Sequence, residues 1–589
     1  MKHAITFCVC LSLLSYHCQN PEMNTQTPFD TFLQNYYESF LKLNPMSATS
    51  AGDHRYNDQF PNVISESYMT GAKAFYQETI DELKSYDRSA LSANDQMSYD
   101  ILKWECEVAS EGMEFPFELT PIDQMWSVNL YMGQLASGAS SQPFETVEDY
   151  DNWLKRLNGY LAWCQTAIDN MKKGMEQDIV LPSALIKKVI PQFKSLSVGA
   201  AEDHLFYKPI LTLPDDISGE DKDRIVAAYA DMVSQKIMPM YAKMTKFFQE
   251  EYLPAGRETS GVGSYDFGKD LYNHMIKLYT TTDMTADQIH QLGLKEVSRL
   301  RSEMEKVKAK VGFDGELNEF FEHVRHKKEL MPFTEPKGII DNFNAIHTKM
   351  LPQLDELFDL TPKTPFEVRQ TEAFREASAS AEYNPGSVDG TRPGVFYVPI
   401  PNASTYNIYG DEDLFLHEAI PGHHYQISLQ QENQDLPAFR KTLWYSAYGE
   451  GWALYCESLG EELGLYTDPY QYFGMLGNEM HRAIRLVVDT GIHTKDWSRE
   501  KAIQYSLDNE AESEASITSE IERYMAMPGQ ALSYKIGQLK IQQLRAKAEK
   551  ELEEKFDIKQ FHNIVLEAGC VPLKILESSI GEWIADRHS

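Results

Sequence analysis

The chain has 589 residues, of which 42% are hydrophobic and 24% are charged, a composition that is ordinary for a globular protein. Its 88 acidic residues outnumber the 55 Lys and Arg residues, which gives a formal net charge of −33 at pH 7. This excess of negative charge argues against nucleic acid as a partner and against attraction to anionic lipid headgroups.

The first 18 residues have the pattern of a secretory signal peptide. Lys2 and His3 form a weakly basic start, and the apolar run from Ala4 to Tyr16 is too short to span a bilayer. Cys18 follows this run directly, so it is a candidate for lipidation in a bacterial lipoprotein. The residues before Cys18 are larger than is usual for that signal, which leaves export without lipidation as the alternative. The sequence thus predicts a periplasmic protein, or one attached to the outer membrane through Cys18 alone.

Helical periodicity dominates the chain after this segment. Apolar residues recur every three or four positions in FDTFLQNYYESFLKLNP, and the pattern stops at Pro45. Longer segments with the same spacing follow, one of them with Thr285 in the N-cap position. No fixed-period repeat and no low-complexity linker separates these segments. We therefore expect residues 19–589 to form one large, mainly α-helical domain.

Strand patterns are concentrated in one region of the chain. The β-branched and aromatic segments PFEVRQ at 365–370 and GVFYVPI at 394–400 are separated by the turn-rich sequence SAEYNPGSVDGTRPG. Pro393 and Pro399 favour an edge position for the second strand, because proline cannot donate a ladder hydrogen bond. An edge strand next to a metal-carrying helix can align an extended peptide. Tyr397, on this strand, is predicted to contact the substrate.

Directly after these strands, the segment DEDLFLHEAIPGHHYQ at 411–426 concentrates three histidines around one glutamate. It is close to the pattern H-E-x-x-H, in which two histidines one helical turn apart bind zinc and the glutamate activates water. Here Pro421 stands where the second histidine is expected. On an unbroken helix, His423 and His424 would lie about 9 Å and about 10.5 Å along the axis from His417, too far to share an ion with it.

The Pro-Gly pair predicts that the helix is broken between Ile420 and His423. In a regular helix Pro421 would clash with the carbonyl group of His417, and Gly422 tolerates almost any backbone angle. If both residues bulge out of the helix, the remaining order His-Glu-Ala-Ile-His restores the usual ligand spacing. This geometry favours His423 as the second ligand, while His424 stays open as the alternative.

A third ligand is expected from a carboxylate on a later helix. Glu450, in YGEGWALYCESLG, is the best candidate, because the intervening chain of about thirty residues allows a neighbouring helix to return. Glu457 lies seven residues further on nearly the same helix face. It is a candidate for orienting one of the histidine ligands.

The chain resembles the bacterial family catalogued as domain of unknown function 885 over nearly all of its length after the signal. The resemblance rests on the segments AEYNPGSVDGTRPGVFYVP, LHEAIPGHHYQ, EGWALYCE, RLVVDTGIH, ERYMAMPGQALSYKIG and GCVPL. That family consists largely of exported or lipoprotein-type proteins and is similar to zinc metallopeptidases with a glutamate third ligand, such as thimet oligopeptidase and angiotensin-converting enzyme. The resemblance implies a mostly helical metallopeptidase-like body with a deep central channel. It also implies His417, His423 and Glu450 as ligands of one Zn²⁺ ion and Glu418 as the general base.

Two residues of the C-terminal third are further candidates for catalytic roles. Tyr534 follows a Pro-Gly turn at a predicted helix start, and we expect it to stabilise the oxyanion formed on the scissile carbonyl. His493 is a candidate hydrogen-bond donor to the substrate if Asp489, four residues earlier, orients it. A purely local structural pair of Asp489 and His493 fits the same spacing.

Three neighbouring residues are candidates for substrate binding. Arg485 and Arg523 match the planar geometry of a carboxylate, such as the C-terminus of a peptide. Tyr524 lies beside Arg523 in the same motif.

These features predict an exported zinc-dependent peptidase that hydrolyses short peptides, with residues 360–540 carrying the site. One alternative is a metal-dependent hydrolase of a non-peptide amide or ester. Another is a non-catalytic peptide-binding lipoprotein, although a binding protein would have no use for the base Glu418. Serine-hydrolase and nucleotide-binding functions are disfavoured, since the chain contains neither G-x-S-x-G nor the phosphate-loop motif G-x-x-x-x-G-K-[ST].

Overall fold

Helices make up most of the chain in the computed structural model, which describes residues 27–138, 140–372, 376, 380–387 and 392–588. The predicted mainly α fold with a small β-sheet is confirmed. The proposed signal segment and Cys18 lie outside the described residues. Within them, no helix is long and apolar enough to cross a membrane.

The first fifteen helices precede the sheet. They are α1 (Phe29–Leu43), α2 (Pro45–Ser50), α3 (Glu66–Leu83), α4 (Ala93–Gly112), α5 (Val128–Ala136), α6 (Val147–Glu176), α7 (Ser183–Ser195), α8 (Lys208–Leu211), α9 (Gly219–Asp231), α10 (Met238–Phe247), α11 (Leu253–Ala255), α12 (Gly268–Thr280), α13 (Ala286–Lys310), α14 (Leu317–His326) and α15 (Pro336–Leu357). The strands are β1 (Phe366–Gln370), β2 (Glu382–Asn384) and β3 (Gly394–Val398).

The remaining helices follow the sheet. They are α16 (Asp411–Glu418), α17 (His423–Glu432), α18 (Ser446–Glu457), α19 (Pro469–Thr494), α20 (Arg499–Leu507), α21 (Glu514–Ala526), α22 (Ser533–Leu552), α23 (Ile558–Glu567) and α24 (Leu573–His588).

The helices begin and end where the sequence supplies capping residues or proline. Thr285 caps α13 as predicted, and it does so in a capping box: its hydroxyl accepts the Gln288 N–H while the Gln288 side chain accepts the Thr285 N–H. Near the N-terminus, α1 ends at Leu43 and Pro45 occupies the first turn of α2, where its missing N–H costs nothing.

The strand order differs from the sequence prediction. The order is β1-β3-β2, so the strand at 394–398 is central rather than at the edge. It pairs in parallel with β1 and antiparallel with β2. Pro393 and Pro399 lie just outside its five paired residues, and therefore they remove no ladder hydrogen bond. The edge strands are β1 and β2, and both contact His424; β2 is a three-residue strand within the segment that the turn-rich sequence predicts to be a loop.

The buried apolar residues form two clusters. One lies between positions 122 and 252 and includes Trp153 and Phe193, and the other is built mainly from the helices before and after that region. A cavity of about 720 Å³ lies where the two clusters meet. Its wall takes Trp163 from the first cluster and Met275 and Met525 from the second.

Helices α18 and α22 run in parallel and touch backbone to backbone. Ser446 and Ser533 share a 2.8 Å hydrogen bond at their starts, and Gly451 packs on Gly537 one turn further on. A Cβ atom added at Gly537 would stand 1.8 Å from the carbonyl oxygen of Ala447. Since no side chain fits there, glycine is required by the close approach.

Gly537→Ala is expected to lower the free energy of unfolding by about 1–3 kcal/mol, because the helices must separate to admit the methyl group. Denaturant unfolding followed by circular dichroism measures this change. Gly71→Ala in α3 is the control, since its Cβ would meet no atom within 4 Å. Equal unfolding free energies for the two variants would contradict this account of the contact.

Candidate metal centre

The helix that carries the histidines is broken, as the Pro-Gly pair predicts. Helix α16 ends at Glu418 and α17 begins at His423, with a cis peptide bond between Ile420 and Pro421. Gly422 is pressed against the preceding turn: an added Cβ would lie 1.9 Å from the carbonyl oxygen of His417. Only glycine allows this approach, which turns α17 back onto the end of α16.

Helix α18 holds the break in place. The carbonyl oxygen of Pro421, freed from the helical ladder, accepts a 2.8 Å hydrogen bond from the indole N–H of Trp452. The thiol of Cys456, one turn along α18, lies 3.5 Å from the same oxygen. A buried carbonyl without a partner is costly, so these contacts stabilise the bulged conformation.

The break brings together the three predicted ligands. Glu450 Oε2 lies 3.6 Å from His417 Nε2 and 3.5 Å from His423 Nε2, and the three ligand atoms lie within 4.8 Å of one another. Ligand atoms that surround a tetrahedral zinc ion at about 2.1 Å lie about 3.4 Å apart. Two histidines and a carboxylate with a fourth position left for water are a donor set typical of catalytic zinc. These residues therefore fit a single ion of that size.

Glu457 fixes the orientation of His417. The Nδ1–H group of His417 donates a 2.7 Å hydrogen bond to Glu457 Oε1, which leaves Nε2 as the atom that faces Glu450. Glu457 is 1% exposed. A carboxylate behind a histidine ligand sets its tautomer and raises its basicity.

Charge complementarity is strong within this group. Burial alone would raise the pKa of Glu450, but the contacts with His417 and His423 outweigh it and lower that pKa. Burial alone would lower the pKa of His417, but Glu450 and Glu457 outweigh it and raise that pKa. The site thus has a strong preference for positive charge between its carboxylates.

Glu418 stands beside the ligands without being one of them. It is buried, and burial raises its pKa although His417 and His423 act in the opposite direction. Among the described residues, no side chain donates a hydrogen bond to its carboxylate. Such a carboxylate is available to exchange protons with water or substrate.

An acidic cluster at the start of α16 has no counterpart in the sequence predictions. Asp411, Glu412 and Asp413 are all buried. Asp411 accepts from Tyr406 and Asn342, and burial raises its pKa to about 8. The other two carboxylates have partners as well: Glu412 with Lys349 and the Tyr466 N–H, and Asp413 with Asn478 and Tyr466. The first turn of a helix favours acidic groups, so the cluster anchors the helix that carries His417.

His424 is directed away from the ligand group. Its Nδ1 accepts a 2.9 Å hydrogen bond from the hydroxyl of Tyr383 on β2, and its ring packs on Phe366 of β1. Burial lowers its pKa to about 4, which keeps the ring neutral. The structure therefore places His423 with the ligands and His424 against the sheet.

The predicted substrate-binding residues of the C-terminal third gather around Glu520, a residue that the sequence predictions do not include. Arg485 Nη2 lies 2.9 Å from Glu520 Oε2, and the Tyr524 hydroxyl donates to the same oxygen at 2.8 Å. Arg523 Nη1 lies 3.3 Å from both carboxylate oxygens. The ring of Tyr534 lies 4.5 Å below the guanidinium of Arg485. These residues come from separate segments of the sequence, and therefore their spacing does not predict this cluster.

The predicted pairing of Asp489 with His493 is wrong. Asp489 accepts hydrogen bonds from the Tyr272 hydroxyl and the Gly529 N–H instead. Both ring nitrogens of His493 are bound to the backbone: Nδ1 accepts the Val262 N–H, and Nε2 donates to the Tyr524 carbonyl oxygen. Burial lowers the pKa of His493 to about 3. Because both ring nitrogens bind the backbone, His493 joins segments of the chain, and the structure does not leave it a ring N–H to donate to a substrate.

Tyr397 lies on the far side of the sheet. Side chains alternate along β3, so Tyr397 is on the face opposite to Phe396, and its partner on β1 is Arg369. His424 packs on the other face, beside Gly394 and Tyr383. The structure therefore does not place Tyr397 on the face that meets α17.

Comparisons with known proteins find similar bacterial proteins. A family model described as "Bacterial protein of unknown function (DUF885)" matches residues 45–580. A solved structure described as a "putative lipoprotein" from Colwellia psychrerythraea is similar with a TM-score of 0.86 and 27% identity, over 95% of this chain and 99% of that one. A "putative lipoprotein of unknown function" from Shewanella oneidensis has a TM-score of 0.74 and 19% identity, over 94% and 99% of the two chains. No curated protein matches this chain.

Substituting the adjacent histidines separately tests the assignment of ligands. His423→Gln is expected to lose most of its bound metal, because Nε2 of His423 is one of the three ligand atoms. His424→Gln is the matched control and is expected to keep metal close to the wild-type ratio. Elemental analysis of the dialysed proteins measures both. Loss of metal from His424→Gln together with retention in His423→Gln would contradict the arrangement.

Proposed function

The chain belongs to the bacterial DUF885 family, and from the geometry of its metal centre we propose that it is a zinc-dependent peptidase that hydrolyses short peptides. The observation that carries the proposal is the group of His417, His423 and Glu450 with a buried, unpaired carboxylate, Glu418, next to it in the chain. Two histidines, a carboxylate ligand and an adjacent free glutamate are the parts that a hydrolytic zinc site requires.

Different residues of this chain have different roles in the proposed hydrolysis. A zinc ion, when bound, polarises a carbonyl group as a Lewis acid and makes water nucleophilic at neutral pH. Glu418 takes the proton of the attacking water and passes it to the leaving amine. Burial raises the pKa of Glu418, which suits a group that must both accept and release a proton. Glu457 holds His417 in the tautomer that the site needs.

Tyr534 is the proposed donor to the oxyanion. It lies in the first turn of α22. Because α22 packs in parallel on α18, this turn is level with the first turns of α18, and Glu450 lies there. Its hydroxyl accepts a 3.4 Å hydrogen bond from Arg523, which leaves its own proton to donate. A neighbouring cation strengthens such a donor.

Short peptides are the proposed substrates because the ligands are buried. The exposed fractions of the His417, His423 and Glu450 side chains are 7%, 11% and 15%, so a folded protein cannot present a loop to them without rearrangement. The wall of the 720 Å³ cavity includes Trp104, which packs edge-on against Tyr445 at the start of α18. Its apolar wall suits hydrophobic side chains of a peptide. The deep central channel implied by the family resemblance stays a prediction.

We further propose that the protein is exported as a lipoprotein. The apolar N-terminal segment that ends at Cys18 supports export. The similar protein from Colwellia psychrerythraea is described as a "putative lipoprotein", which agrees with this interpretation. Attachment through a lipidated Cys18 would hold the proposed peptidase at a membrane surface outside the cytoplasm.

Glu418→Gln is expected to abolish peptide hydrolysis and to leave the metal content nearly unchanged, because the amide cannot accept the proton of water. Hydrolysis of a peptide mixture, followed by mass spectrometry, and elemental analysis measure the two effects. Glu549→Gln, on the exposed side of α22, is the control. A fully active Glu418→Gln protein would overturn the mechanism, and turnover of acyl amides or esters but not of peptides would favour a non-peptide hydrolase.

Tyr534→Phe is expected to lower kcat by about a hundredfold with a smaller change in KM, because the hydroxyl acts on the oxyanion rather than on the bound substrate. Tyr229→Phe, which removes a buried hydroxyl in the other apolar cluster, is the control for a general loss of stability. An unchanged kcat for Tyr534→Phe would exclude the residue from the oxyanion site.

A further inference from the structure

Helix α19 runs alongside the helix that carries His417. Gly474 packs on the Tyr409 carbonyl group, and one turn later Asn478 donates a 2.6 Å hydrogen bond to Asp413 on α16. The contacts advance together along both helices, so the helices are parallel. One further turn brings Arg482 on α19 to the level of His417 and Glu418.

Arg482 has no partner that accounts for its charge. Its Nη1 group donates a 3.4 Å hydrogen bond to the Asn478 carbonyl oxygen in its own helix, and its Nε is buried without a hydrogen-bond acceptor. In the described part of the chain, no carboxylate lies within ion-pair distance of it.

Arg485, one turn further along α19, also has spare hydrogen-bonding capacity. Its Nε and Nη2 groups donate to Tyr524 and Glu520, at 3.0 Å and 2.9 Å. Its Nη1 group is buried and has no acceptor, although the residue is only 5% exposed. A buried guanidinium N–H without an acceptor is costly, which indicates that a ligand supplies the acceptor.

The charge around these groups is unbalanced. Arg485 and Arg523 pair with one shared carboxylate, Glu520, which also lies 3.6 Å from the ring of His481. This excess of positive charge occurs in a chain whose formal net charge is −33. A local cationic site in an acidic protein attracts an anion and holds it in a defined place.

We propose that Arg482 and Arg485 bind a carboxylate of the substrate, and that this carboxylate is the free C-terminus of the peptide. Guanidinium N–H groups form charge-assisted hydrogen bonds to carboxylates, and Arg482 Nε and Arg485 Nη1 each have an N–H without an acceptor. Because Arg482 lies level with the metal ligands, the scissile bond lies close to the C-terminus. The inference rests on the proposed function and specifies it as removal of C-terminal residues.

Three peptides of the same length and core sequence separate the sources of the carboxylate. One has a free C-terminus, one has a C-terminal amide, and one has a C-terminal amide with glutamate as its last residue. The wild-type holoenzyme is expected to cleave the free acid with a kcat/KM about tenfold to a hundredfold above that of the plain amide, the effect of losing one charge-assisted contact. Preference for the glutamate amide over the free acid would overturn the assignment to the C-terminus.

Arg482→Gln is expected to reduce the ratio of free-acid to amide kcat/KM towards one, with Arg482→Lys restoring part of it. Lys495→Gln is the matched control: it removes one positive charge just past the end of α19, where Lys495 pairs with Asp287. It is expected to keep the wild-type ratio. A ratio that Arg482→Gln leaves unchanged would exclude this arginine from carboxylate binding.

Calorimetric titration of the peptides into the metal-loaded Glu418→Gln protein tests the inference independently of catalysis. The free-acid peptide is expected to bind at least tenfold more tightly than its amide, and Arg482→Gln in the same background is expected to remove the difference. Equal binding of the two peptides overturns the inference while peptide hydrolysis, if observed, still supports the proposed function. Absence of hydrolysis with a retained difference in binding overturns the proposed function and the removal of C-terminal residues, and leaves only the carboxylate-binding role of Arg482.

Discussion

The metal centre depends on the contact between Gly422 and the carbonyl group of His417. An unbroken helix would keep His423 too far along the axis to share an ion with His417. The bulge at residues 419–422 removes that separation, and it packs so tightly that a methyl group at position 422 would lie 1.9 Å from the His417 oxygen. The loss of the helical ladder at Pro421 is compensated by Trp452. These contacts thus hold the break between α16 and α17 in one conformation.

Helix α18 supports this arrangement in three ways. It carries the ligand Glu450, it carries Glu457 behind His417, and it supplies Trp452 to the break. Since these residues share one helix, any shift of α18 would disturb all three contacts together. The glycine contact with α22 fixes the position of α18 from its other side. The rigidity of the site therefore comes from backbone packing and not from loops.

Charge is distributed in opposite ways on the two sides of the centre. The buried carboxylates of Glu450 and Glu457 on α18 contact the histidines and favour a cation. Arginines on α19 and α21 lie around Glu520 and favour an anion. The proposed peptide substrate would match both sides, with its carbonyl group towards the proposed metal ion and its carboxylate towards an arginine. Separate binding of charge of each sign orients a substrate more strongly than either side would alone.

The sequence by itself determined the helical class and the break at Pro421, and it predicted His417, Glu418 and either His423 or His424 as candidate site residues, because all of these depend on spacing within one or two helical turns. It also pointed to Glu450, through the distance that a returning helix needs. The tertiary structure alone decided which direction each side chain faces. Spacing could not show that His424 turns to Tyr383, that β3 is central, or that Asp489 pairs with Tyr272 rather than with His493. Those outcomes depend on packing between segments that lie tens to hundreds of residues apart, and so does the alignment of Arg482 with the metal ligands.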